Sequence, residues 1–224
     1  MSSPPPDRPR PLPVARLVLV GFALGVVAVL ALRDVELAAV RDGFIAAIRE
    51  AGPWVFFSAL AVLPAIGAPV LAFTIPAGEA FAGRFGMSVV VVIAMAMMTI
   101  NLALAYWLAR YGFRPLLTAL IKRYGYRIPR VTPENALNVA LLVRFTPGPP
   151  YFLQCFVLGV AEMPFRLYMI VSWVALLPWV VGAILLGRGL FGGHFRAAAA
   201  GAGVLIAATV LVRWLLKRAK SREA

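Results

Sequence analysis

The chain has 224 residues, a length for one domain, and carries 22 Lys and Arg against 9 Asp and Glu, a formal net charge of +13. It is 62% hydrophobic and 14% charged, with a mean hydropathy of +0.89. Soluble domains average about 45–50% apolar and about 25% charged, so a soluble fold is excluded, and the absence of alternating ten-residue segments excludes an outer-membrane barrel.

Met1 to Pro13 is Pro-rich and basic and reads as a disordered cytoplasmic tail. Val14 to Leu32 is an apolar run longer than the 7–15 residues of a signal-peptide core, so a retained signal-anchor span is expected. From Arg33 to Ala51 the pattern changes. Leu37, Val40, Phe44, Ala47, Ile48 and Ala51 recur at helical spacing, with Asp34, Arg41, Asp42, Arg49 and Glu50 opposite. That predicts an amphipathic helix in the membrane interface.

Pro53 to Ile75 is apolar but interrupted by Pro64, Gly67 and Pro69, and closed by Pro76 and Gly78. The polar stretch with Glu79, Gly83 and Arg84 follows. Met87 to Ala109 is a clean spanning run whose one strongly polar residue is Asn101. Arg110 to Glu134 is a basic loop, with Leu116, Leu117, Leu120 and Ile121 as the apolar face of a short helix. Thr132-Pro133-Glu134 predicts the next helix start: a cap, a proline at the first position and an acid against the dipole.

Leu141 to Gly159 is the costliest stretch. It is greasy almost throughout, yet holds Arg144 and then Pro147, Gly148, Pro149 and Pro150. Lipid offers no hydrogen bonds to an interrupted backbone, so such a break survives only against protein or a water-filled cavity. An intramembrane arginine is by default a candidate functional residue. Pro164 to Leu186 is a span with Trp173, Pro178 and Trp179, Gly187 to Phe195 a glycine-rich turn, and Arg196 to about Leu216 the last span. A basic tail, 217–224, follows.

Charge bias sets the topology, because cytoplasmic loops collect Lys and Arg. The two tails and the loop with Arg110, Arg114, Lys122, Arg123, Arg127 and Arg130 are basic; the Arg33–Ala51 stretch is not. If Pro53–Ile75 crossed fully, the most basic loop would lie outside. If it dips in and returns, that loop is cytoplasmic. The same test makes Asn135–Val160 dip from the cytoplasmic side. The expected fold is therefore all-α and polytopic, with four transmembrane helices and two oppositely oriented re-entrant hairpins. Each hairpin precedes a clean span, forming an inverted repeat, Leu63–Ala109 against Leu141–Leu186. Such architecture is that of many secondary transporters. Residues 14–216 form a single membrane domain in this reading.

The run RFTPGPPYFLQCFVLG, from Arg144 to Gly159, and the segment IPAGEAFAGRFG, from Ile75 to Gly86, resemble the DedA superfamily, in particular its VTT or SNARE-associated branch. The resemblance covers about Ala51 to Gly187. It implies inner-membrane or endomembrane proteins linked to lipid scrambling, lipid-carrier translocation and proton-dependent membrane homeostasis. It places the hairpin acid at Glu79 and the motif arginine at Arg144, followed by Pro147 and Gly148. Pro150 stands where classical DedA members have a second arginine, which favours the VTT branch.

The candidate substrate- or proton-binding residues are thus Glu79 and Arg144, expected to face each other across the hairpins as a pair. Glu79 is a candidate proton carrier because desolvation disfavours its charge, and Arg144 a candidate phosphate ligand because a guanidinium bonds phosphate in pairs. A structural ion pair of Glu79 with Arg144 or Arg84, or Arg144 capping exposed carbonyls, is the alternative. Pro64, Gly67, Pro69, Pro76, Gly78, Gly83, Pro147, Gly148, Pro150 and Gly159 are expected to shape the hairpins. Arg84 and Asn101 are secondary candidates, Arg84 interfacial and Asn101 bonding between helices. Cys155 is expected to be a packing residue. With one cysteine and one histidine, no metal site and no cofactor is expected.

No Gly-x-Ser-x-Gly, HExxH or Walker loop is present, so no enzyme is expected. Expected partners are membrane lipids, through anionic headgroups and phosphates, with protons and a homo-oligomer left open and no nucleic acid. Movement of lipids or lipid-linked phosphates is the first functional reading. A proton-coupled carrier of small solutes and a non-transport structural subunit are the alternatives. The inner membrane, with both termini cytoplasmic, is the expected location.

Overall fold

The computed structural model describes residues 37–112, 114–115, 119, 123, 131–146 and 149–220. The chain divides into two units, Met1–Gly43 and Phe44–Ala224. Of the first, the opening turns of helix α1 are described, where Arg41 Nε pairs with Asp42 Oδ1 at 2.8 Å. The expected tail, the signal-anchor span Val14–Leu32, Pro147 with Gly148, and the apolar face around Leu116 to Ile121 lie outside the described residues.

The described residues are all-helical. The elements are α1 (Leu37–Val62), a 3-10 turn (Leu63–Ile66), α2 (Leu71–Phe85), α3 (Met87–Trp107) ending in a π turn (Leu108–Gly112), α4 (Ala136–Phe145), α5 (Tyr151–Val160), α6 (Phe165–Gly192) and α7 (Phe195–Lys220). Among the described residues four stretches are long and apolar enough to cross a membrane: Ala39–Ile66, Met87–Gly112, Phe165–Gly192 and Phe195–Val212. The last three are the expected spans. The first joins two segments that the sequence separates, the amphipathic helix and the start of the first broken segment. The join is a kink at Gly52 (φ 83, ψ 160), where a left-handed backbone suits glycine and Pro53 restarts the helix. On the amphipathic part Phe44 stays exposed and Ile45 is buried.

In the second unit, α3 and α6 run antiparallel through two apolar cores. One core gathers Val90, Ala94 and Met98 of α3, Val180 and Ile184 of α6, and Phe56, Phe57, Leu60 and Phe81 of α1 and α2. The other takes the opposite ends of the same two helices, Leu102, Ala105, Tyr168 and Val171, and packs α4 and α5 against them. Each core therefore holds one pair of broken segments.

Several boundaries differ from the sequence reading. Pro76 and Gly78 do not close a segment: both are inside α2, and the reversal is made by Gly67 (φ 115) and the turn to Val70. Gly78 serves instead as a contact point, since a Cβ there would collide with the Ile184 carbonyl. Gly187, Gly189 and Gly192 are not a turn but part of α6, which runs on to a left-handed cap at Gly193. A Cβ on Gly187 would collide with the Ile75 carbonyl, and one on Gly189 with the backbone of Ala198. These glycines are read as a turn because a close helix crossing and a loop select the same residue. Gly159 belongs to the same class, with Ala109 Cβ 2.7 Å from where its own Cβ would lie, whereas Gly83 makes no close crossing, with no atom within 4 Å of where its Cβ would be. At the start of α4, Thr132 contributes its carbonyl, which accepts from the Ala136 N–H at 3.0 Å, while its own N–H donates to Asn135 Oδ1 at 2.8 Å. The helix thus begins at Ala136, later than the predicted cap implies.

Candidate functional site

Arg144 lies in the last turn of α4, just before the Pro-rich break, and is buried at 8% exposure. Burying an unpaired ion costs several kcal/mol after relaxation, so its surroundings are informative. Nε donates to Ser172 Oγ at 2.9 Å and Nη2 to the same oxygen at 2.6 Å. Nη1 and Nη2 each reach Cys155 Sγ at 3.5 Å. The guanidinium carbon lies 5.3 Å from the Tyr168 ring centre and 5.7 Å from that of Tyr151. Every one of these partners is neutral in its ordinary state, and no carboxylate among the described residues pairs with Arg144. The hydroxyl, the thiol and two ring faces spread the charge without cancelling it.

Sequence reasoning missed this cage, although a signal for it is present. Tyr151 and Cys155 are four apart on α5, and Tyr168 and Ser172 four apart on α6. Residues at that spacing share a helix face, so each apolar helix presents one polar pair inward. Cys155 accordingly does more than pack.

A polar thread leaves the cage. Tyr151 Oη donates to Asn101 Oδ1 at 2.9 Å, and Asn101 Nδ2 donates to the Ala61 carbonyl at 3.0 Å. Asn101, fully buried in α3, therefore ties the end of α1 to α5, fulfilling the interhelical role expected of it. Tyr168 Oη donates to the Leu102 carbonyl at 3.0 Å, fixing the second ring of the cage. Pro150 sets the start of α5 from an extended conformation (φ −63, ψ 154).

Glu79 is elsewhere. Its Oε1 accepts from Arg49 Nη2 at 3.1 Å, and Arg49 also donates to the carbonyls of Glu79 at 2.8 Å and Ala80 at 3.2 Å. The expected Glu79–Arg144 pair is not formed. The reason is topological: Arg49 on α1 reaches the middle of α2 at one core, while Arg144 is sealed in the other. The Glu79 side chain is 22% exposed and that of Arg49 52%. They line a recess of about 370 Å³ with Pro53, Gly83 and Arg84. Gly192 lies against the carboxylate, since a Cβ there would collide with Glu79 Oε2 and lie 2.6 Å from His194 Nδ1. Among the described residues no group of three or more His, Cys, Asp or Glu side chains forms a metal site.

A second charged cluster borders the basic loop. Glu162, held at φ 58 in the turn after α5, pairs with Arg114 and, at 3.9 Å, with Arg110. Arg110 donates to Tyr106 Oη, which donates to the Met163 carbonyl at 2.6 Å.

A family model of the VTT domain matches residues 68–189, more than half of the chain, from the turn before α2 to near the end of α6. The protein is a member of the VTT-domain family, the domain of the DedA and SNARE-associated proteins. The match takes in Glu79, Arg144 and the full Arg144 cage, Tyr151, Cys155, Tyr168 and Ser172, but leaves out Arg49 and the whole of α1. Searches of curated proteins and of solved structures find no match. The chain is thus a VTT-family membrane protein built of apolar helices.

Proposed function

We propose that this VTT-family protein moves lipids or lipid-linked phosphates between the leaflets of a cell's inner membrane, with both termini cytoplasmic. In this reading, α1 beyond its Gly52 kink with α2, and α4 with α5, form two re-entrant hairpins of an inverted repeat, entering from opposite faces. The ten-residue helices α4 and α5 support it: at 1.5 Å per residue each spans about 15 Å, half the roughly 30 Å hydrocarbon core. The matched placement of the two cores about α3 and α6 supports the repeat.

One observation carries the functional part: among the described residues, the buried Arg144 guanidinium is held by neutral groups alone. A phosphate oxygen pair is a stronger partner than a hydroxyl and a thiol. The cage then corresponds to an occluded form in which Ser172 and Cys155 hold the charge. Release of that hold exposes Arg144 to a headgroup while the tails stay in the bilayer. Glu79, beside Arg49 in an open recess, is the proton-binding candidate, and any proton coupling acts there.

Reconstitution into vesicles with a fluorescent phospholipid, followed by bleaching of the outer leaflet, tests this. Wild-type protein moves lipid between leaflets, and Arg144→Ala abolishes movement while remaining monodisperse in detergent. Full activity in Arg144→Ala would remove the proposal's basis, and solute uptake without lipid movement would replace it with a small-solute carrier.

A further inference from the structure

The recess at Glu79 does not stand alone. Through shared walls at Pro53 and Arg84 it adjoins a second cavity of about 530 Å³. This one is a groove between α1 and α3, lined chiefly by Trp54, Phe57, Ala61, Val62, Ile93 and Met97. From Pro53 to Val62 a helix rises about 13 Å, so the groove is elongated along the two helices. Its floor is firm: Phe57 is buried at 4% exposure and packs edge-to-face with Phe56 and tilted against Phe81, and Asn101 ties the far end to Ala61. Its rim is open, with Trp54 at 86% exposure.

The charge at its mouth is asymmetric. Arg49 and Glu79 neutralise one another. Arg84 has no carboxylate partner among the described residues and meets only the face of Phe85, at 5.1 Å. One uncompensated cation therefore lies where an apolar groove meets a polar recess. Gly83 leaves space beside it, with no atom within 4 Å of where its Cβ would be. A zwitterionic headgroup brings its own cation to the same phosphate and so gains less from Arg84, whereas a net anionic headgroup gains a charge-assisted hydrogen bond with no competing positive charge as its chain fills the groove.

We infer that the α1–α3 groove and the recess at Arg84 form a binding site for an anionic phospholipid, one acyl chain against Trp54, Phe57 and Ile93 and the phosphate on Arg84. The site is separate from the Arg144 cage, in the other core, and does not depend on lipid being moved there. Its occupant is a resident lipid held by charge, distinct from the surrounding bilayer lipid by its headgroup.

The full chain, reconstituted with phosphatidylglycerol carrying a photoactivatable group on one acyl chain, provides the test. Irradiation labels peptides spanning 53–62 and 93–100 at least five-fold more than a phosphatidylcholine probe of the same chain. Arg84→Glu lowers phosphatidylglycerol labelling to the phosphatidylcholine level. Gly83→Trp, which fills the recess from an unobstructed position, lowers it as well with Arg84 intact. Arg144→Ala keeps full labelling, so the outcome is independent of lipid movement. Equal labelling by the two phospholipids would reduce the groove to ordinary bilayer contact and overturn the inference. So would unchanged labelling in Arg84→Glu, or a photoactivatable palmitate labelling as strongly as phosphatidylglycerol.

Discussion

Ser172→Ala is the most direct probe of the Arg144 cage. The Ser172 hydroxyl accepts from Nε and Nη2 at 2.9 and 2.6 Å, and it is the one oxygen bonded to Arg144 among the described residues. The two bonds share a single acceptor, so they are counted once. A hydrogen bond to a charged group contributes about 1.5–3 kcal/mol. What remains is Cys155 Sγ at 3.5 Å, a weak acceptor, and two aromatic faces. The expected loss is therefore about 2–3 kcal/mol, read as a shift in equilibrium unfolding in mixed micelles. The cycle is completed with Arg144→Met, which keeps most of the side chain's volume and removes the charge. Replacing a buried ion by an apolar residue is often neutral or stabilising, so Arg144→Met stays close to wild type. In that background Ser172→Ala costs less than about 0.5 kcal/mol, leaving a coupling of about 2 kcal/mol. If Ser172→Ala costs the same with and without the arginine, the hydroxyl is not holding the charge and the reasoning fails. The cycle also separates stability from function, because Arg144→Met is expected to fold while losing lipid movement.

Two further outcomes can be checked on the same unfolding axis and by exchange. Gly187→Val drives a branched side chain into the Ile75 carbonyl and costs about 1–3 kcal/mol or more, whereas Gly83→Ala meets open space inside a helix and is neutral or stabilising by up to about 1 kcal/mol. The Glu134 carboxyl is held below its ordinary 4.5 by the Thr132 side chain, so its support for the start of α4 is complete above that value and fades as pH falls through the lowered one; amide exchange at Ala136 rises there, and Glu134→Gln removes the pH dependence.

Most of the helical layout was legible because it rests on length and hydropathy, and both survive without tertiary information. Met87–Trp107, and α6 from Phe165 as far as Leu186, are long runs that have one reading. The breaks at Gly67 and Pro150 were legible for a related reason, since glycine and proline act on their own backbone, whereas the kink at Gly52 was not read. What was not legible depends on a partner. Gly187 and Gly78 look like turn residues until the carbonyls of Ile75 and Ile184 are brought against them. Glu79 looked like the partner of Arg144 because both were costly in lipid, and cost says nothing about direction.

The same point bears on what the arginine does. Had Arg144 met Glu79, the two charges would have cancelled, and an ion pair that locks two helices is a sufficient account of both. Instead each acid or base found a different solution: Glu79 took Arg49 at a solvent-facing recess, and Arg144 took neutral groups deep in the other core. A fold under selection for stability alone has little reason to keep a buried cation that a methionine could replace. The cage of Tyr151, Cys155, Tyr168 and Ser172 stabilises that cation enough to be housed and leaves its charge unspent. That combination suits a residue whose stronger partner arrives from outside the protein, and it is why the proposed phosphate contact is assigned to Arg144 and not to the more accessible Arg49.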